Sequence, residues 1–333
     1  VEIELLQIPA NCSVSGENPR SVEVVTNVVS ETEFLITCKL VLRDKIAFAS
    51  DRAGGAFNIY VMNSDGSGVR QLTFNNNIED RRPVISPDGT KIAFNHGGNV
   101  AVMDSDGSNM RTLASVEGKA PLPQLIKSEP SWSPDGSKIA YTVHNTGNNN
   151  KDIWVMNADG SGQTPLIADS NQNYWAPDWK PDGSKLIFVS TRVTTIGDDA
   201  VTKIVVNDLF WADADGSNIQ LFNPNATGNN TNPRWTSDIS VTFTSDRDGQ
   251  EEVYFFVLFG DVALTSGNSP SRWPSGSPDN SRIVFAREGR SGLGGPIVYQ
   301  IVTISTSTSN PDIRGITGNF FNDVEPHWSP VQE

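Results

Sequence analysis

Histidine occurs three times and cysteine twice in these 333 residues, and no apolar run approaches the roughly eighteen residues of a membrane helix. With so few soft or titratable ligands, no HExxH or paired-cysteine spacing arises, and no GxSxG nucleophile elbow is present. Metal-assisted and serine-nucleophile hydrolysis therefore find no motif, and the sequence implies no cofactor. Positive charge is scarce too: 25 Lys plus Arg stand against 39 Asp plus Glu, a net charge of −14. That balance opposes binding to nucleic acid or anionic lipid. The chain opens on a strand-like VEIELL without the basic segment of an export signal, so any such signal is expected to have been removed or omitted.

What is abundant is repetition. The phrase RPVISPDGTKIAF (82–94) returns as EPSWSPDGSKIAY (129–141) and APDWKPDGSKLIF (176–188), then more weakly as NPRWTSDISVTF (232–243) and SGSPDNSRIVF (275–285). The closing aromatics, Phe48, Phe94, Tyr141, Phe188, Phe243 and Phe285, recur every 42 to 55 residues. That period suits one four-stranded propeller blade. Asp-Gly between alternating apolar runs marks a tight hairpin, because glycine takes the positive φ the turn requires. Two such turns per unit are explicit at Asp88-Gly89 with Asp106-Gly107, and at Asp135-Gly136 with Asp159-Gly160.

The two ends complement each other. Trp132 and Trp179 precede their aromatics by nine residues, but Lys39 occupies that place before Phe48, so the first blade lacks its inner strand. EPHWSP (325–330) is an inner strand with no blade after it. Pairing His327, Trp328 and Ser329 with Lys45, Ile46 and Phe48 would close six blades into a ring and remove exposed sheet edges.

These repeats resemble the TolB-like, or PD40, propeller family, whose blade phrase appears here as SPDGTKIAF, WSPDGSKIAY and FASDRAGGAFNIYVMNSDG (48–66). The resemblance covers residues 45–330 and implies a six-bladed propeller. For function it implies several classes: binding and scaffolding proteins, the propellers of prolyl-oligopeptidase-like enzymes, and some polysaccharide lyases. No helical stretch here would build a hydrolase domain. TSDI replaces Pro-Asp-Gly at 236–239, a departure from the pattern.

Residues 1–40 read as a separate unit with strands in VEIELL, SVEVV (21–25) and EFLITC (33–38). PANCSVSGENPRSVEVV followed by FLITC resembles the C-terminal half of a bacterial immunoglobulin-like module. Cys12 and Cys38 are either buried thiols or one disulfide; the disulfide is the expectation for an exported chain, and would stabilise by on the order of 3 kcal/mol. The continuous apolar run Phe34, Leu35 and Ile36 is expected to be covered on both sides, either by the propeller or by another copy, which would make a homo-oligomer or filament.

In an up-and-down meander the two tight turns of each blade share one face of the ring. The longer loops within and between blades share the other, where binding concentrates. The candidates on that loop face are Phe74, Arg81, His96, His144, Tyr174, Trp175, Trp273, Phe320 and Phe321. Exposed rings beside Asn-rich loops suit sugar or peptide stacking; the alternative is that they plug gaps between blades. His96, His144 and His327 all approach the loop-face end of the channel in this reading, which a lyase could use around a metal, although their positions are not equivalent in the repeat. Arg52 and Arg247, both in Ser-Asp-Arg, are expected to brace loops. The Asp-rich turns lack the length and closing Glu of an EF-hand. Sequons at Asn11, Asn225 and Asn229 mark exposed loops.

The sequence thus predicts an all-β, extracytoplasmic chain: a partial immunoglobulin-like unit (1–40) and a six-bladed propeller (41–333) closed by its C-terminal inner strand. The expected function is non-enzymatic binding of a protein or carbohydrate through the loop face, with a polysaccharide lyase as the alternative.

Overall fold

The computed structural model describes residues 2–3, 11–15, 20–21, 34, 36–114, 125–196, 202–224, 227–257, 260–290, 295–307, 311–318 and 320–330. Six antiparallel four-stranded meanders form a ring. Blade 2 shows the pattern: Asp80–Ile85, Lys91–His96, Asn99–Asp104 and Arg111–Ala114 pair in that order. Blades 3 to 6 begin with inner strands Leu125–Trp132, Tyr174–Trp179, Asn230–Ser237 and Ser271–Gly276. Blade 1 takes its inner strand from the far end of the chain, Asp323–Trp328, which pairs with Lys45–Ser50. His327 lies opposite Ala47 and Trp328 opposite Ile46, and the Ser329 N–H donates to the Lys45 carbonyl at 2.7 Å.

The second strand of each blade explains why the ring holds. Its residues alternate between two faces, and each face belongs to a different inter-blade core. Ala47 and Ala49 pack with Ile85, Ile92 and Phe94 of blade 2, whereas Ile46 and Phe48 pack with Val284 and Ala286 of blade 6. Both faces are therefore apolar, as expected for a sheet sandwiched between neighbours. The six recurrent aromatics are all fully buried.

Turn chemistry is local and repeated. Asp88 Oδ1 accepts the Thr90 N–H and the Ser86 hydroxyl, and Asp65, Asp106, Asp159 and Asp215 each hold the N–H and hydroxyl of the serine two residues on. Gly66 and Gly216 have positive φ, and a Cβ on either would lie 2.2 or 2.3 Å from a carbonyl oxygen of the preceding blade. Only glycine allows the blades to approach so closely there.

Arg52 and Arg247 are braces at equivalent blade positions. Arg52 Nε donates to Ser50 and its guanidinium reaches the fully buried Asp323 at 2.7 Å, 5.0 Å from the Phe48 ring centroid. Arg247 Nε donates likewise to Ser245, with Asn230 and Asp261 completing its partners.

In the N-terminal unit Glu2–Ile3 pairs with Arg20–Ser21, and Cys12–Val14 with Ile36–Cys38. The strand at Cys12–Val14 was not among the three expected, and most of SVEVV lies outside the described residues. Cys12 faces Cys38 directly and the two form a disulfide. Ile36 is 46 % exposed, so among the described residues the expected two-sided cover does not reach it, and Leu35 lies outside them. Asn11 bonds to Lys39 in both directions, extending the pair to the linker.

Candidate functional site

The central channel is built from one dipeptide used six times. Arg82-Pro83, Glu129-Pro130, Ala176-Pro177, Asn232-Pro233, Trp273-Pro274 and Glu325-Pro326 occupy the same place on the six inner strands. Each strand is bulged there, with ladder register lost across the dipeptide. Each residue before proline has φ between 51° and 57°. Proline cannot donate to a ladder and is tolerated in a strand only at an edge or bulge; the left-handed residue before it turns its side chain into the channel.

These side chains fill the waist. The Arg82 guanidinium lies 3.0 Å from Glu129 and 3.5 Å from Glu325, with Arg81 3.6 Å from Glu325. Burial alone would raise the Glu129 carboxyl, but Arg82, the Thr142 hydroxyl and the Ala176 N–H together hold it below its ordinary value. Glu325 accepts the Arg82 N–H at 2.9 Å. What remains is a cavity of about 40 Å³, near the share of a single water. No sugar ring or peptide passes this point.

A second ring lies nearer the tight-turn face, where Val84, Ser131, Asp178, Arg234, Ser275 and His327 follow the prolines. Asp178 accepts the Trp235 N–H at 2.8 Å, Ser275 the Trp328 N–H at 3.1 Å, and His327 Nδ1 the Ile85 N–H at 3.3 Å. Each bond ties one blade to the next. Burial and the Arg234 charge push the His327 imidazole down to about 3. The expectation that His327 approaches the loop-face end is corrected: it is a neutral structural acceptor on the opposite half.

The loop-face candidates separate into two groups. Phe74 (75 % exposed), Phe320 (71 %) and Phe321 (41 %) stand out on the crossings that flank blade 1. Tyr174 does not: it is buried edge-on against Phe188, a gap filler rather than a contact surface. Trp273 is half-buried at the waist against Tyr299, not on the loop face. Trp175 is half-buried with the Lys151 ammonium 4.8 Å from its ring centroid, and Arg81 lies 3.7 Å from that of Phe57. His96 Nδ1 is 2.6 Å from Asp80, in the role that Arg52 plays toward Asp323, and His144 Nε2 bonds Asn149. The histidines are not brought together. Among the described residues no group of three or more His, Cys, Asp or Glu is placed to hold a metal ion, and no helix is long and apolar enough to cross a membrane. Residues 197–201 and 291–294 of the variable loops, and Asn225, lie outside the described residues.

The sequence reading missed the waist ring, although its signal, a proline four residues before the turn proline in most repeats, is visible in RPVISP, EPSWSP and APDWKP.

No protein-family model matches the chain. A curated TolB of the Tol-Pal system from Rhizorhabdus wittichii is 36 % identical over 88 residues, 25 % of this chain and 18 % of that protein. The chain spans less than a fifth of the length of the curated relatives it matches. Among solved structures, TolB from Acinetobacter baumannii superposes with a TM-score of 0.63 at 18 % identity, covering 86 % of this chain and 66 % of that one. An oligogalacturonate lyase in complex with manganese gives 0.55 at 15 % identity, covering 82 % and 75 %. The fold is a TolB-like six-bladed β-propeller.

Proposed function

We propose that this chain is an extracytoplasmic, non-enzymatic binding module that engages a protein or carbohydrate partner through its loop face. The observation that carries this reading is the set of exposed rings, Phe74, Phe320 and Phe321, on crossings anchored by a rigid closed ring. Exposed aromatics on a stiff scaffold bury large area at low entropic cost. The disulfide supports an oxidising compartment. Against a lyase, the three histidines are dispersed, two already bonded to Asp80 and Asn149 and the third turned to the other half of the channel. The test has two arms. Incubation with oligogalacturonate and manganese should yield no unsaturated product; turnover would replace this reading with the lyase. Cross-linking to a cell-envelope extract should recover a partner that a Phe74→Ser, Phe320→Ser, Phe321→Ser variant loses, and recovery indifferent to those changes would move the site.

The exposure of Ile36 favours a second role, self-association through residues 1–40 into an oligomer or filament. Sedimentation of the intact chain should show concentration-dependent association that vanishes when the residues before Leu40 are removed. Two monomeric samples would end this idea.

A further inference from the structure

The chain itself shows how the tight-turn face holds an extended segment. Between blades 1 and 2, the Leu42 N–H donates to the Gly89 carbonyl at 2.9 Å, and the Leu42 carbonyl accepts from Ser329 Oγ at 2.5 Å. Ser105 Oγ donates to the Leu40 carbonyl. The Leu42 side chain is buried in the inter-blade core beside Ile85. Bonds from Asn109 and Lys91 lower the Asp104 carboxyl, and against the opposing effect of burial bonds from Ser86 and Thr90 lower that of Asp88; the Lys39 charge adds the smallest contribution to each. The segment reads Lys-Leu-Val-Leu-Arg (39–43): basic ends around aliphatic residues.

The next two junctions repeat this socket, and both are open cavities. Between blades 2 and 3 it measures about 370 Å³, with Pro87 and Asp88 on one wall and Trp132, Asp135, Gly136 and Ala158 on the other. Between blades 3 and 4 it measures about 350 Å³, with Trp179, Asp182, Gly183 and Ala214 in the corresponding places. Gly136 and Gly183 stand where Gly89 receives Leu42, and Trp132 where Ile85 meets its side chain. Ala158 and Ala214 replace Ser105; their N–H groups make the same bond to the preceding turn as that of Ser105. The serine hydroxyls equivalent to Ser329 donate to Asp88 and Asp135. These two sockets thus exchange hydroxyl donors for a more apolar floor and a rim of two aspartates and one lysine each: Asp88 and Asp135 with Lys91, which is itself paired with Asp104, and Asp135 and Asp182 with Lys138. Serine and backbone donors hold Asp135 and Asp182 at about 2, with Lys180 the largest contributor for Asp182, so both rims are charged at neutral pH.

We propose that the sockets between blades 2 and 3 and between blades 3 and 4 dock an extended peptide segment of a partner protein, with an aliphatic side chain flanked by basic ones. The aliphatic side chain would enter between Pro87 and Trp132, its N–H would meet the Gly136 carbonyl, and its cations would meet Asp88 and Asp135. Charge complementarity follows from a chain carrying −14 and from the basic pattern of the segment already seated next door. This surface lies opposite the loop face and stands or falls independently of it.

The probe is acetyl-Lys-Leu-Val-Leu-Arg-amide carrying a fluorophore, titrated into the intact protein by anisotropy. Saturable binding is expected, weakened at least tenfold by Ala158→Trp with Ala214→Trp, and weakened by added salt. The same peptide with glutamate for both basic residues should not bind. Both cavities are solvent-open, so filling them should leave the melting curve in place; should the double variant not fold, Asp88→Asn with Asp135→Asn serves instead and should also weaken binding. Absence of saturable binding, equal binding of the acidic peptide, or affinity indifferent to the variants overturns the proposal. If the filled variant instead loses self-association in sedimentation, the occupant is a second copy and the partner-peptide form is likewise overturned.

Discussion

Deleting residues 323–333 should abolish the single cooperative unfolding transition of the ring. The loss goes beyond six ladder residues. Asp323 is the buried partner of Arg52, Glu325 of Arg82, and His327 receives the Ile85 N–H of blade 2. The Trp328 indole donates to Asp44 at 2.8 Å, and Ser329 fastens Leu42. Removing one member of a buried ion pair costs about 3–5 kcal/mol because the other charge stays behind without compensation. Arg52 loses its buried carboxylate outright, whereas Arg82 keeps Glu129 at 3.0 Å, so the first loss alone is a large share of the about 5–15 kcal/mol that holds an ordinary domain. The exposed edge of Lys45–Ser50 would then invite edge-to-edge aggregation. Circular dichroism and light scattering on heating should show an early, broad loss of structure with aggregation. An unchanged melting curve would mean that the C-terminal strand does not close the ring. A gentler version, Asp323→Asn with Glu325→Gln, should lower the midpoint while leaving the strand in place.

The repeat was legible because its causes are local. Pro-Asp-Gly and Asp-Gly-Ser make their turns from bonds two residues apart, and KIAF alternates in a way that any strand between two neighbours must. Closure was legible for a different reason: a blade without an inner strand and an inner strand without a blade complement each other on paper. The waist was not, because Arg82, Glu129 and Glu325 meet only after three blades from distant parts of the chain have come round the ring. Nor could sequence tell Tyr174 from Phe74. Both are aromatic beside Asn-rich loops, but Tyr174 pairs opposite Ser190 in the ladder and so turns into the core against Phe188, whereas Phe74 lies just beyond the outer strand Arg70–Gln71 and is 75 % exposed. The family resemblance begins at Lys45, but that residue is not where the propeller starts. Leu42 and Asp44 show this, since each bonds to the closing strand, so a propeller beginning at Lys45 would confuse the loss of the N-terminal unit with damage to the ring.

Acidification offers the most direct test of the second ring, with His327 as its reporter. The imidazole is enclosed by inner strands: Arg234 is the cation facing it, Asp178 and Ser275 lie in the same ring, and Ile85 supplies a backbone N–H to Nδ1. An accepted N–H and a nearby guanidinium both favour the neutral ring, as does burial. Its folded value, about 3, therefore lies below the ordinary 6.5. With the folded pKa depressed, the unfolded chain takes up a proton as pH falls and the folded chain does not. Stability is fully present above pH 6.5 and declines toward pH 3. By pH 5 the decline from this one group should reach roughly 2 kcal/mol, a figure set by the unfolded value and hardly by how far under 5 the folded one lies. Most carboxylates titrate below that window, and His96 and His144 are common to wild type and variant. His327→Asn keeps an acceptor for Ile85 but cannot protonate near neutrality. Urea unfolding at pH 7 and pH 5 should therefore show a smaller loss on acidification in His327→Asn than in wild type, by about the same 2 kcal/mol. Equal losses in the two proteins would show that His327 is already solvated or charged in the ring. The bond between blades 1 and 2 would then have to be assigned to Glu325 and Leu42 instead.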